Sequence, residues 1–198
     1  MLQYQLIMQH RAVKKTHLSS QGNDLDFWMT QTSAERLAAL RVLRARYGRL
    51  KRMDIQGDFK DLIGLLNQYG AVYLVVGGFA VAHHGFPRFT GDIDFWVKAE
   101  AENAERVVTA LREFGFAGPD ISPEDFTRPN QVVQLGYPPN RIDLLTSVTG
   151  LEFDECWKRR DTVEFEDVTI HFLGLEHLKL NKKLVARKKD EIDLENLP

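Results

Sequence analysis

Residues 75–97 read VVGGFAVAHHGFPRFTGDIDFWV. The run AVYLVV, residues 71–76, is continuously apolar and of strand type, and Gly77-Gly78 follows it at once. FAVAHH then supports a short helix, closed by Gly85 and Pro87. DIDFWV, residues 92–97, alternates as a strand does, so Asp92 and Asp94 leave one face while Ile93 and Phe95 leave the other. A third acid, Asp143, sits in RIDLL among Ile142, Leu144 and Leu145, in what reads as a largely buried strand.

Working outward, Asp58 is placed to cap a helix through Phe59, Leu62, Ile63, Leu65 and Leu66 that ends at Gly70. Residues 100–114 form an amphipathic helix stopping at Gly115. QVVQLG, the turn YPPN and RIDLL read as a hairpin, VEFEDVTIHFL as a second, and the tail from Leu175 onward as mostly helical. This order of helices and meandering strands predicts an α/β (α+β) fold, a small mixed sheet flanked by helices.

The 198 residues carry 26 Lys+Arg against 28 Asp+Glu, a formal charge of −2, with 43% hydrophobic residues. That is ordinary for a globular chain and excludes wholesale disorder. The balance hides a split. Residues 1–55 hold 10 basic and 4 acidic residues, and the remaining 143 hold 16 and 24. A boundary is therefore expected there, with a basic, partly helical appendage over 1–55 and the main domain over 56–198. Residues 1–31 have little periodicity and read as a weakly ordered leader. Thr32 and Glu35 fit a capping box for a helix carrying Leu37, Leu40, Leu43 and Tyr47 and stopping at Gly48, with arginines on its other faces. Apolar runs are too short to cross a membrane, and charges follow rather than precede the apolar residues of the N-terminus, unlike a signal peptide. Cys156 is the single cysteine. A cytoplasmic location is the natural expectation.

Three carboxylates aimed at one point need a reason. Two like charges about 4 Å apart repel by about 4 kcal/mol at an effective dielectric of about 20. A divalent cation reverses that sign, and Mg²⁺ is held by hard oxygen ligands, commonly one or two carboxylates with substrate phosphates. Gly77 and Gly78, opening a helix after a buried strand, let backbone N–H groups approach an anion. No Lys-Ser/Thr pair follows, so this is not a P-loop.

The combination of Val76-Gly77-Gly78, thirteen intervening residues and Asp92-Ile93-Asp94-Phe95, with a third acid on a later strand, resembles the signature of the DNA polymerase β-like nucleotidyltransferase superfamily. The fuller run and the tail KKLVARKKDEIDLENL are similar to the minimal nucleotidyltransferases of bacteria, some of which belong to toxin–antitoxin or phage-defence systems. The resemblance covers about residues 58–195. It implies that Asp92, Asp94 and Asp143 are the catalytic, metal-binding acids of a two-ion Mg²⁺ site that also accepts Mn²⁺, and that Gly77 and Gly78 hold a nucleoside triphosphate. It implies ATP as the favoured donor. The acceptor stays open: a protein side chain, an RNA end or a small molecule. Asp24-Leu25-Asp26 and Glu191-Ile192-Asp193 share the acidic triplet but lack the strand and glycines before it.

Neighbouring residues extend the candidate nucleotide pocket. Arg88 and Thr90 precede the acids, and an arginine there can pair with a phosphate. Lys179, Lys183 and Arg187 recur every four residues, a single helical face either solvated or reaching the phosphates, and Asp190 can bond the same cluster. His83 and His84 are adjacent, so on a helix they point apart and share no metal face; a packed pair is the expectation. Trp96 is expected to pack beneath the sheet. Two functions follow: transfer of a nucleoside monophosphate, or a non-catalytic nucleotide-binding sensor or toxin–antitoxin interaction module of the same fold. A unit this small also suggests that acceptor recognition comes from the basic N-terminal segment, a homodimer or a small helical partner protein.

Overall fold

The structure, a computed structural model, describes residues 13–17, 57–86, 88–116, 120–136, 141–165 and 167–198. It is an α+β fold built on one mixed sheet. The strands are β1 (Val13–His17), β2 (Tyr73–Val76), β3 (Asp92–Val97), β4 (Gln131–Leu135), β5 (Arg141–Leu145), β6 (Asp161–Phe165) and β7 (Val168–Phe172), and they lie in the order β1-β4-β5-β3-β2-β7-β6. β3 pairs parallel with β5 and β2 parallel with β7, while the remaining neighbours are antiparallel. The helices are α1 (Gly57–Gln68), α2 (Gly77–His83), α3 (Ala101–Glu113), α4 (Phe153–Lys158), α5 (Leu175–Val185) and α6 (Lys188–Asn196).

Both expected hairpins form, β4–β5 and β6–β7. β3 carries the alternation into packing: Ile93, Phe95 and Val97 are buried among Leu62, Tyr73, Val107 and Leu111, with Phe95 edge-on to Tyr73 at 5.6 Å. α1 and α3 pack together, and Asn103 of α3 fastens the start of β2 by accepting from the Val72 N–H at 2.7 Å and donating to the Val72 and Lys98 carbonyls. Trp96, on the face of the acids, is buried edge-on against Phe153 at 5.0 Å, as a core residue. Among the described residues no helix is long and apolar enough to cross a membrane.

Two expectations change. Val13–His17, read as part of a featureless leader, is an edge strand in register with β4, from Val13 opposite Leu135 to His17 opposite Gln131. Its five residues, VKKTH, are too few and too mixed for periodicity to mark them. The tail is mostly helical as expected, but in two helices, because Ala186 adopts a left-handed conformation with φ 52° and ends α5. Lys179 and Lys183 stay on α5, whereas Arg187 caps α6, so the three do not share one helical face. The helix read over Thr32–Gly48 and the boundary near residue 55 lie outside the described residues.

Candidate active site

The sheet register builds the site. Asp94 of β3 lies directly beside Asp143 of β5, and Asp92 beside Arg141. In parallel neighbours, residues in register face the same way, and residues two apart on each strand do so too. Asp92, Asp94, Arg141 and Asp143 therefore form one block on one face. A carboxylate oxygen from each of the three acids lies within 4.8 Å of those of the other two. The three acids expected from the sequence are brought together.

The block is tightly wired. Arg141 donates from Nε to Asp143 Oδ1 at 2.8 Å and from a terminal nitrogen to Asp143 Oδ2 at 3.1 Å, and the same nitrogen contacts Asp92 Oδ2. Gln134 of β4, in register with Asp143, donates to Asp143 Oδ2 at 3.2 Å. Thr90 Oγ1 donates to Asp92 Oδ1 at 2.6 Å. Asp143 is 1% exposed. Burial is the main cause pushing its carboxyl up to about 6, with Arg141 and Gln134 pulling it down and Asp92 pushing it up. Burial also drives Asp94 well above the ordinary carboxylate range, helped by the charges of Asp92 and Asp143 and opposed by Lys189 and Arg141. A folded protein that holds carboxylates in so unfavourable a state fits a site designed for added positive charge. Three carboxylates with hard oxygens, backed by one guanidinium, suit a divalent cation such as Mg²⁺.

The glycines serve the acids as well as any ligand. Gly77 has φ +61°, and a β-carbon there would sit 1.9 Å from Asp94 Oδ2; one on Gly78 would sit 2.8 Å from Thr90 Cβ. The space a side chain would need is taken by Asp94 and by the threonine that orients Asp92.

The other expected nucleotide ligands are differently employed. Arg88 forms a two-pronged ion pair with Asp193 of α6, at 2.5 and 2.8 Å. Arg187 donates to Asp190 at 2.7 Å, Lys179 contacts the Pro198 carbonyl, and Lys183 is exposed. Lys182, which sequence reading passed over, is the buried member of the tail, donating to Asp190 at 2.9 Å and Asp193 at 2.5 Å. Burial pushes both acids up, but hydrogen bonds from Arg187 and Lys182 to Asp190, and from Arg88 and Lys182 to Asp193, outweigh it and hold them below the ordinary range. This network ties the loop before β3 to both C-terminal helices.

Sequence reasoning also missed Arg141, Gln134 and Lys189. Arg141 had a signal, since its spacing of two from Asp143 on a strand puts both on one face. Gln134 and Lys189 had none, because only cross-strand register and the turn at Ala186 bring them near. His83 and His84 do not diverge as expected: both rings turn toward Asp161.

No protein-family model matches the sequence, and no curated protein matches it. Function is read from the geometry.

Proposed function

We propose that the chain is a nucleotidyltransferase that moves a nucleoside monophosphate, AMP by preference, from an NTP to a hydroxyl or phosphate acceptor. The observation that carries this reading is the convergence of Asp92, Asp94 and Asp143 from two parallel strands beside a glycine turn. Asp92, Asp94 and Asp143 would hold Mg²⁺, or Mn²⁺ in its place. Bound there, the ion supplies charge stabilisation for phosphate oxygens during an in-line displacement.

The chain's own residues have separate tasks. Thr90 fixes the rotamer of Asp92 by donating to one oxygen, which leaves the other directed at the site. Gln134 and Arg141 fix Asp143 by donating to both of its oxygens. Asp143, or a carboxylate beside it, would assist removal of the acceptor's hydroxyl proton. The acceptor oxygen forms a bond to the α-phosphorus as the bond to the bridging oxygen breaks, and the electron pair leaves with pyrophosphate. Arg141, which contacts Asp92 and Asp143, would offer donors to the phosphates of a bound nucleotide. Lys183, Lys188 and Lys189 are exposed tail cations, and the charge of Lys189 already acts on Asp94.

One observation favours the second reading, a nucleotide-binding module without turnover: the Arg141 guanidinium already bridges Asp92 and Asp143. Incubation of the protein with each α-³²P-labelled NTP, Mg²⁺ and a cell lysate separates the two. Transfer of label that disappears in Asp92→Ala supports the enzyme. NTP binding by calorimetry with no labelled product supports the module, and labelling unchanged in Asp92→Ala overturns the proposal.

A further inference from the structure

A second cluster lies at the other end of α2. His83 is the last residue of that helix, His84 follows it with φ −80° and ψ 10°, and Asp161 opens β6. Successive residues on an α-helix diverge by roughly 100°. His84 keeps the helical bond from its N–H to the Ala80 carbonyl, yet both imidazoles are long enough to reach the same oxygen: His83 Nε2 lies 3.3 Å and His84 Nδ1 3.7 Å from Asp161 Oδ2. The two ring nitrogens and the carboxylate oxygen all lie within 4.8 Å of one another.

His83 Nε2 is at hydrogen-bond distance from Asp161 Oδ2, but among the described residues hydrogen bonding leaves Nδ1 of His84 unanswered. His84 Nε2 lies 2.8 Å from the Leu173 carbonyl oxygen, which can only accept, so Nε2 carries the hydrogen. In the neutral ring Nδ1 then presents a lone pair to Asp161 Oδ2, itself an acceptor. At 3.7 Å the pair is also too far apart for a hydrogen bond. Two acceptors held face to face call for a cation between them. Ligands about 2.1 Å from a tetrahedral ion stand roughly 3.4 Å apart, and the two measured separations fall on either side of that value. A histidine whose far nitrogen is tied to a backbone carbonyl has the tautomer and orientation of a metal ligand.

The surroundings hold the rings in place. His83 stacks flat on Phe172, with centroids 4.3 Å apart and planes 5° apart, and Phe172 is the register partner of Asp161. His83 and His84 are mostly covered, while the Asp161 side chain is 48% exposed, so the cluster is rigid on the protein side and open to water on the other.

We propose that His83, His84 and Asp161 bind one divalent transition-metal ion of the zinc class. Two imidazole nitrogens and one carboxylate match zinc chemistry and not magnesium, which prefers an all-oxygen shell. The ion fastens the C-terminal end of α2 to the β6–β7 hairpin. Gly77, at the start of α2, lies about 9 Å along the helix axis. The site is thus separate from the acidic cluster, and its existence does not depend on the activity proposed above.

The test uses the full chain stripped of metal, in an Asp94→Asn background that removes a ligand from the acidic site. Titration with Co²⁺, followed by its visible absorption, is expected to saturate at one equivalent and to be reversed by Zn²⁺ but not by Mg²⁺. Asp161→Asn and His84→Ala should each weaken binding by more than about 100-fold. Asp161 is surface-exposed, so its variant keeps the fold, as circular dichroism will verify, even where His84→Ala does not. Absence of a cobalt spectrum in the parent protein overturns the proposal. So does undiminished affinity in folded Asp161→Asn, which would place the ion elsewhere. Neither result bears on nucleotide transfer, which is read separately in the labelling assay.

Discussion

The backbone of Gly77 faces the carboxylate of Asp94 so closely that a β-carbon on the glycine would lie 1.9 Å from Oδ2 and 2.8 Å from Cγ. Asp94 pairs in the sheet with Val76, the residue immediately before that glycine. The glycine turn and the acid are thus one unit, in which backbone without a side chain makes room for a half-buried carboxyl group.

Gly77→Ala should therefore act on two levels. The left-handed backbone costs about 1–2 kcal/mol for alanine, and the collision with Asp94 adds to it. A double-mutant cycle separates them. In an Asp94→Ala background the carboxylate collision is gone and only the backbone cost and a 3.3 Å contact with Cβ of residue 94 remain, so Gly77→Ala should lower the urea midpoint less than it does in the parent protein. Equal losses in both backgrounds would mean that the two residues do not crowd each other.

Removal of any one acid should abolish labelling. Asp92→Ala, Asp94→Asn and Asp143→Asn are each expected to reduce Mg²⁺-dependent transfer by at least about 100-fold, because the charge stabilisation that the site supports is worth several kcal/mol. Glu191→Gln, in the acidic triplet of α6, should leave transfer unchanged. The rates of label incorporation decide between these outcomes.

The high pKa values of Asp94 and Asp143 make a prediction about pH. An acid whose pKa is raised on folding binds its proton more tightly when folded, so its contribution to stability falls as pH rises from about 4 through its folded value. For Asp143 that value is about 6, and Asp94, also raised, adds a loss of the same sign. His83 and His171, whose pKa values are lowered chiefly by burial, run the opposite way, so the readout is the difference between two proteins. In EDTA, Asp94→Asn should raise the melting temperature more at pH 7.5 than at pH 5. Millimolar Mg²⁺ should shrink that advantage by stabilising the parent protein alone. An advantage independent of pH would count against a charged, crowded site.

Lys182 should matter more to folding than any other tail cation. Its removal takes one charged donor from each of two buried carboxylates, leaving Asp190 with Arg187 and Asp193 with Arg88, and is expected to cost about 1.5–3 kcal/mol. Lys183→Ala, on an exposed neighbour, should cost less than about 0.5 kcal/mol. Urea unfolding of the two variants measures the contrast, and similar midpoints would show the network to be dispensable.

The core of the sheet and the three acids were legible because each rests on a local rule. Alternation in DIDFWV gave both the strand and the shared face of Asp92 and Asp94, and the turn YPPN gave the β4–β5 hairpin that places Asp143. What local rules do not contain is register. Gln134 meets Asp143, and Arg141 meets Asp92, only because of how neighbouring strands are aligned. The tail was harder. Helical spacing grouped Lys179, Lys183 and Arg187, but Ala186 takes a left-handed conformation that no residue preference predicts, and this redirects Arg187 to Asp190. The histidines escaped notice because Asp161, the residue both rings reach, is brought to the end of α2 only by the sheet, 78 residues beyond His83 along the chain.

The short strand Val13–His17 also decides how this protein can be shortened. By pairing with all of β4, it closes a row of backbone donors and acceptors that would otherwise face solvent. A chain begun at Met53, the natural cut for asking whether the basic segment recognises the acceptor, would bare that row beside the strands carrying the acids. Open strand edges recruit further strands. Such a fragment should self-associate as its concentration rises, detectable by light scattering, and any activity it loses would reflect an unsealed sheet as much as a missing recognition surface. Substituting the arginines between residues 36 and 52 while keeping Val13–His17 separates the two.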